Sequence, residues 1–300
     1  MSHVESEQIT FECQDKYQLT GTLFKPKGDL KGAVVIGPAT GIKRQFYRHF
    51  ATYLAEHGYG VLTFDNRGIG QSLVGHVRES KASLQCWGEQ DLPAALTTLV
   101  GHFPEVPYHL VGHSAGGQLI GLMNNAAKLS SMYTVASSSG RLSNMKMPYW
   151  FKAQFFMNLF IPLNNLLFGH TKSQLVGMGE PLPLAVAGQW RQWCNGQGYV
   201  KTAFGHSITT HYYDQLTLPT MWVNATDDDI ANQANLADML SVFKNIKVDT
   251  LTVSPKTSEL SEIGHMKFFS RKSQTLWPHA LTWFHQHNGT KNNATGQSNE

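Results

Sequence analysis

The feature that most constrains this chain is a repeated switch of hydrophobic period between residues 32 and 138. Four runs, GAVVIG from Gly32, YGVLTFD from Tyr59, YHLVGH from Tyr108 and MYTVASS from Met132, are short, mostly apolar and rich in strand formers. They read as strands buried on both faces. Between them lie segments of helical period: RQFYRHFATYLAEHG, ending at Gly58, then WGEQDLPAALTTLVGHF, then GGQLIGLMNNAAKL. Such alternation predicts a parallel sheet with helices on both faces. Ahead of it, Ile9 to Cys13 and Tyr17 to Lys25 favour strands, and the polar link Gln14-Asp15-Lys16 makes them an antiparallel hairpin.

The alternation lapses from about Gly140 to Thr217, where Trp, Phe, Met, Pro and Gly mix without a strand period. It resumes with LPTMWVNA, a helix around NQANLADMLSVF, a strand in NIKVDTLTVS and a final helix from about Met266 to His285. The lapse reads as an inserted cap. The expected layout is therefore a core of residues 1–139 and 218–287, a cap of 140–217 and a disordered tail of 288–300, with about eight strands in one sheet.

Bulk properties narrow the function classes. At 41% hydrophobic and 15% charged residues the chain is globular and not disordered. Its net charge of +3 comes without a dense basic run, so nucleic acid is not an expected partner. Cys13, Cys86 and Cys194 match neither a disulfide framework nor a zinc site, and no H-E-x-x-H occurs. No cofactor or metal is expected. The polar start lacks the pattern of a signal peptide, and FFMNLFIPLNNLLF, the most apolar stretch, is broken by Pro162 and three Asn and is too short to span a bilayer. A cytoplasmic protein without an integral membrane segment is expected, its partner a small acyl compound.

The chemistry centres on Gly112-His113-Ser114-Ala115-Gly116, a G-x-S-x-G run placed where a buried strand passes into a helix. That context is what a nucleophile elbow requires, because the tight turn leaves no room for side chains at the flanking glycines. A serine hydroxyl is a weak nucleophile and needs a base, which in turn needs an orienting acid. Downstream, Thr226-Asp227-Asp228-Asp229 follows one strand and Ile263-Gly264-His265 follows the next; of 14 histidines only His265 holds such a position.

These features, with the turn Asp65-Asn66-Arg67-Gly68-Ile69-Gly70-Gln71-Ser72, resemble the α/β-hydrolase superfamily over nearly the whole chain. More narrowly, PATGIKRQFYRHF, FDNRGIG, VGHSAGGQL, the TDDD loop and IGHMKFF resemble a bacterial branch of predicted hydrolases near the serine aminopeptidase group. The resemblance implies an α/β-hydrolase fold and a triad of Ser114, Asp228 and His265. Asp228 is selected over Asp227 and Asp229 because family members place the acid three residues after a small residue, here Ala225. It also implies two backbone donors for an oxyanion. One is Ala115, after the nucleophile; the other is Thr40, with Ala39 and Gly41 as alternatives, since Pro38-Ala39 stands where relatives often carry His-Gly.

The activity so implied is a serine hydrolase cleaving an ester or thioester of a moderately apolar acid. An aminopeptidase or amidase on the same triad is the alternative within enzymes, and a non-catalytic binding protein the alternative outside them. The cap aromatics Trp150, Phe151, Phe155, Phe156, Phe160, Trp190 and Trp193 could line an acyl pocket or pack on the sheet. Binding a substrate ammonium would need a buried carboxylate, and residues 140–217 offer only Glu180 and Asp214, both expected at the surface.

Overall fold

The structure, a computed structural model, describes residues 4–289; residues 1–3 and 290–300, which include most of the expected tail, lie outside them. The expected hairpin is β1 (Ser6–Glu12) and β2 (Gln18–Phe24). The apolar runs become β3 (Gly32–Gly37), β4 (Tyr59–Phe64), β5 (Tyr108–His113) and β6 (Ser131–Val135), almost every residue of them buried. A two-residue ribbon of β7 (His170–Thr171) and β8 (Leu182–Pro183) follows, then β9 (Pro219–Ala225) and β10 (Lys247–Val253).

Eight of these strands form one sheet in the order β1-β2-β4-β3-β5-β6-β9-β10. Only β2 runs against its neighbours; every other pairing is parallel. From β3 the chain moves outward to β4 and then crosses back to β5 on the opposite side of β3. The carboxyl ends of β3 and β5 therefore diverge into different connections, and in an open α/β sheet the crevice at that switch point takes the ligand.

The helices are α1 (Arg48–Glu56), α2 (Leu84–Cys86), α3 (Leu92–His102), α4 (Ala115–Gln118), α5 (Tyr149–Phe155), α6 (Ile161–Phe168), α7 (Leu184–Asn195), α8 (Gln233–Leu240) and α9 (Pro278–His287). Leu96 and Leu99 of α3 sit in one core with Leu236 and Met239 of α8. Phe50 and Leu54 of α1 join Trp283 and Phe284 of α9 in the other, on the opposite face of the sheet.

The helices differ from the sequence reading in three respects, each with a physical reason. The helix expected through GGQLIGLMNNAAKL stops at Gln118. The Tyr213 hydroxyl donates to the Gln118 carbonyl at 2.6 Å and the Tyr212 N–H to the Gly121 carbonyl at 2.7 Å. Carbonyls that would continue a helix are thus taken by residues about ninety positions downstream. Gly121 permits this because the Tyr213 ring lies where a Cβ would stand. The final helix begins at Pro278 rather than Met266, after 3-10 turns in which the Ser273 hydroxyl and the Trp277 indole bond the Lys267 and Phe268 carbonyls. Proline suits a first helical position, where no N–H is needed.

The third difference recurs twice. Pro93 stands second in α3 and Pro162 second in α6, and each follows a π turn, Trp87–Asp91 and Phe156–Phe160. A proline lacks the N–H that a carbonyl four residues earlier would accept, and one wider turn accommodates the loss without breaking the rod. As a result α5, the π turn and α6 form one continuous helical rod, 149–168. Among the described residues no helix is long and apolar enough to cross a membrane.

Candidate active site

Ser114 follows β5 directly and has φ 48° and ψ −114°, a conformation that costs a non-glycine residue about 1–3 kcal/mol. Its surroundings hold it there. The Ser114 N–H donates to the Val135 carbonyl at 2.9 Å, and the Ser114 carbonyl accepts from the Ser137 hydroxyl and from the N–H groups of Gly117 and Gln118. Gly116 must lack a side chain, since a Cβ would run into the Gly37 backbone at the end of β3. The outcome is a hydroxyl raised at the switch point.

Three elements deliver side chains to that hydroxyl. The Ser114 Oγ lies 3.1 Å from His265 Nε2, and His265 Nδ1 lies 2.9 Å from Asp228 Oδ2. The other Asp228 oxygen accepts the N–H groups of Ile230 and Ala231 at 2.8 and 2.9 Å. Burial alone would raise the Asp228 carboxyl, but the nearby His265, its hydrogen bond and the two backbone donors outweigh it and hold the group below its ordinary value. Of the neighbouring aspartates, Asp229 is exposed, and Asp227 accepts the Ile263 N–H at 2.9 Å. Asp227 therefore clips the loop that carries His265 without touching its ring.

A second buried chain of hydrogen bonds lies behind the first, and nothing in the sequence spacing announces it. His113 Nε2 is 2.9 Å from the His265 carbonyl oxygen, which can only accept, so Nε2 carries the proton. Nδ1 then accepts from the Tyr47 hydroxyl at 2.8 Å, and the Tyr47 oxygen accepts the Ala39 N–H at 2.8 Å. Burial, then the neighbouring His265 charge, depresses His113 to about 3, so the ring is neutral and the tautomer fixed. This chain ties the loop after β3, the elbow and the His265 loop together.

It also bears on the residues expected as oxyanion donors. The Ala39 N–H is taken by Tyr47, while Thr40 lines the cavity beside Ser114. Gly41 is not among the lining residues, and its carbonyl accepts the Glu180 N–H. Ala115 is the first residue of α4, so its N–H is one of those a helix cannot satisfy internally. The turn from Asp65 to Ser72 lies behind this loop. Asp65 accepts the Arg44 N–H at 2.7 Å and the Arg44 guanidinium, while Arg67 pairs with Asp91 and Asp15. That turn braces the site from behind and contributes no group to the cavity.

The cavity has a volume of about 510 Å³. Phe155, Phe156 and Trp190 line it, with Leu142, Met145, Met157 and Ile230. Of the other aromatics of residues 140–217, Trp193 is fully buried in the core and Phe151 is exposed. Among the described residues no carboxylate lines the cavity. Glu180 pairs with Lys43 at 2.8 Å and Asp214 with Lys244 at 2.6 Å, both partly exposed. The Cys194 thiol, also on the wall, is pushed well above its ordinary value by burial and stays protonated.

Comparison with known proteins agrees with this architecture. The serine aminopeptidase family, S33, matches residues 28–172, just under half of the chain. No curated protein sequence matches. Among solved structures, a soluble variant of monoglyceride lipase from Saccharomyces cerevisiae, in complex with a substrate analogue, superposes with a TM-score of 0.66 at 13% identity, over 97% of each chain. A hypothetical protein from Pseudomonas aeruginosa gives 0.61 at 16%, over 96% of this chain and 95% of its own. An esterase from Pyrococcus furiosus gives 0.59 at 14%, over 95% and 92%. The chain thus has the α/β-hydrolase fold, and its residues 28–172 resemble the serine aminopeptidase family.

Proposed function

We propose that this protein is a serine hydrolase that cleaves an ester or thioester of a moderately apolar acid through an acyl-enzyme on Ser114. The observation that carries the reading is the hydrogen-bonded series Ser114, His265, Asp228 at the wall of an apolar cavity without carboxylates. Ser114 Oγ attacks the carbonyl carbon as His265 Nε2 takes its proton, and the carbonyl oxygen becomes an oxyanion facing the N–H groups of Ala115 and Thr40. Collapse breaks the bond to the alcohol or thiol, which leaves with the proton from His265. Water repeats the sequence, and its proton returns to Ser114 as the acid departs. Asp228 holds the imidazole in the tautomer that presents Nε2 as a base.

In this reading residues 1–139 and 218–287 are the hydrolase core and 140–217 the cap that supplies the acyl wall. The cavity also bears on the aminopeptidase alternative. A substrate ammonium taken out of water needs an anionic partner, and both carboxylates of the cap are engaged by lysines away from the lining. The test is a parallel screen of p-nitrophenyl acyl esters, acyl thioesters and aminoacyl arylamides, with Ser114→Ala as control. Esters or thioesters are expected to turn over fastest and to lose turnover in the control. Faster cleavage of arylamides would overturn the substrate class, and activity surviving in Ser114→Ala would overturn the nucleophile.

A further inference from the structure

The rod 149–168 is apolar on both sides. Ala153, Phe156, Met157 and Ile161 face inward and are buried. Outward stand Phe151, Phe155, Leu159, Leu163, Leu166 and Leu167, with Phe151 59% and Leu166 81% exposed. In a straight α-helix residues four apart drift by about 40° per step. The π turn at Phe156–Phe160 winds less per residue and takes part of that drift back, so the row stays on one side. Leu175 and Val176 stand exposed on the adjoining 3-10 turn. Contiguous apolar surface of this kind marks an interaction site.

Charge indicates the partner. Of the chain's 24 Lys and Arg, six lie in residues 140–217, against two of its 21 carboxylates, and both of those carboxylates are already paired. The segment is thus net positive by four, while the rest of the chain is net negative by one. Lys146 and Lys172 flank the rod and Lys152 lies in it, exposed at the cavity's edge, and none enters an ion pair among the described residues; the Lys172 ammonium lies 3.4 Å from the centre of the Phe168 ring. A two-fold contact with a second copy would set these unpaired lysines against their own counterparts, which disfavours self-association.

We propose that this face docks on an anionic lipid bilayer, the rod lying in the interface with its outer row among the acyl chains and the three lysines at the headgroups. A helix that is apolar, flanked by lysines and unable to span fits that placement. Phe155 and Val176 are both exposed and part of the cavity wall, so the docked face opens directly into the space beside Ser114. An apolar molecule reaches the cavity from the bilayer without crossing water. The docking stands whether or not Ser114 proves reactive, because binding is read separately from turnover.

The test is cosedimentation of the full chain with phosphatidylcholine vesicles and with vesicles in which about a third of the lipid is phosphatidylserine. Binding is expected to the anionic vesicles and to weaken as salt rises. The double variant Lys146→Glu, Lys172→Glu is expected to lower partitioning by about tenfold or more. Phe151→Ser with Leu166→Ser is expected to lower it comparably. Both pairs are at or near the surface, so circular dichroism and melting should match wild type, and if the apolar pair fails to fold the lysine pair alone decides. No binding at low salt, equal binding to both vesicle types, or binding unaffected by the lysine pair overturns the proposal. So does a concentration-dependent dimer whose formation abolishes vesicle binding.

Discussion

The ground around Ser114 and the rod 149–168 border one cavity and follow opposite rules. Around Ser114 the backbone is strained, and Ala39, Tyr47, His113, His265 and Asp228 are joined by hydrogen bonds at 2.8 to 2.9 Å. The rod has near-regular helical backbone, leucines and phenylalanines facing outward, and nearby lysines that form no ion pair among the described residues. One region gives up local stability for fixed geometry; the other keeps good backbone and leaves its surface unsatisfied. Strain persists only where neighbours over-determine it, and a large contiguous exposed apolar patch marks a place for something else to dock. The two regions should therefore respond to substitution in different currencies, chemistry on one side and contact on the other.

The largest effect expected is at the proposed triad. Ser114→Ala and His265→Ala should each reduce kcat on the best ester by about four to six orders of magnitude, with no further loss on combining them, because such residues act as a unit. Near-normal turnover in either variant would break the comparison at its strongest point. The aspartate run grades the same argument. Asp228→Asn should cost about three to four orders of magnitude. Asp227→Asn should cost much less, since it only loosens the Ile263 clip, and Asp229→Asn should be close to neutral. A reversal of that order by steady-state kinetics would move the acid to another residue.

Acid should expose the frame through stability. Burial depresses His113 to about 3 and His109 to about 4, from an ordinary 6.5. Below about pH 6.5 the unfolded chain takes up protons that these rings refuse when folded, so stability is lost as pH falls from there towards 4 and 3. Asp228, held below 3.8, adds a further loss at the acid end of that range. Urea midpoints measured across these pH values should fall steadily, and His109→Gln should flatten the upper part of the curve. An unchanged curve in that variant would remove His109 from the account.

Tyr47→Phe tests the chain behind the triad. It leaves the Ala39 N–H and His113 Nδ1 without a partner, at about 1–3 kcal/mol for each group. A drop in Tm of several degrees is expected, with a fall in kcat larger than any change in KM. A variant with unaltered Tm and kcat would separate the phenol from the frame. The smallest effect belongs to the other region. Glu180→Gln removes only the partly exposed pair with Lys43, so ester hydrolysis should stay within about twofold of wild type. A selective loss of arylamide cleavage would give Glu180 a part in recognition.

How much of this was legible in the sequence depended on the reach of each cause. The strands and the Ser114 turn are set by residues within a few positions, so period and glycine placement revealed them. Pro278 was equally local, and the start of α9 could have been read from it. The early stop of α4 was not legible, because Tyr212 and Tyr213 act from about ninety residues away. Nor was the Tyr47 to His113 chain, since neither residue stands in any spacing that points to the other. The Thr40 assignment came from resemblance; the engagement of the Ala39 N–H that bears on it is visible only once the loop and the Tyr47 ring are in place.

The stop of α4 also limits how residues 140–217, the proposed cap, can move. Its downstream root is latched to the elbow: withdrawing Tyr212 and Tyr213 would bare the Gln118 and Gly121 carbonyls and empty the space over Gly121 that the ring fills. A swing that began there would drag on the short helix that starts beside Ser114. The pivot for any opening would then lie upstream of Tyr212, and a rod shifting on the proposed membrane face would leave the Ser114 turn standing still.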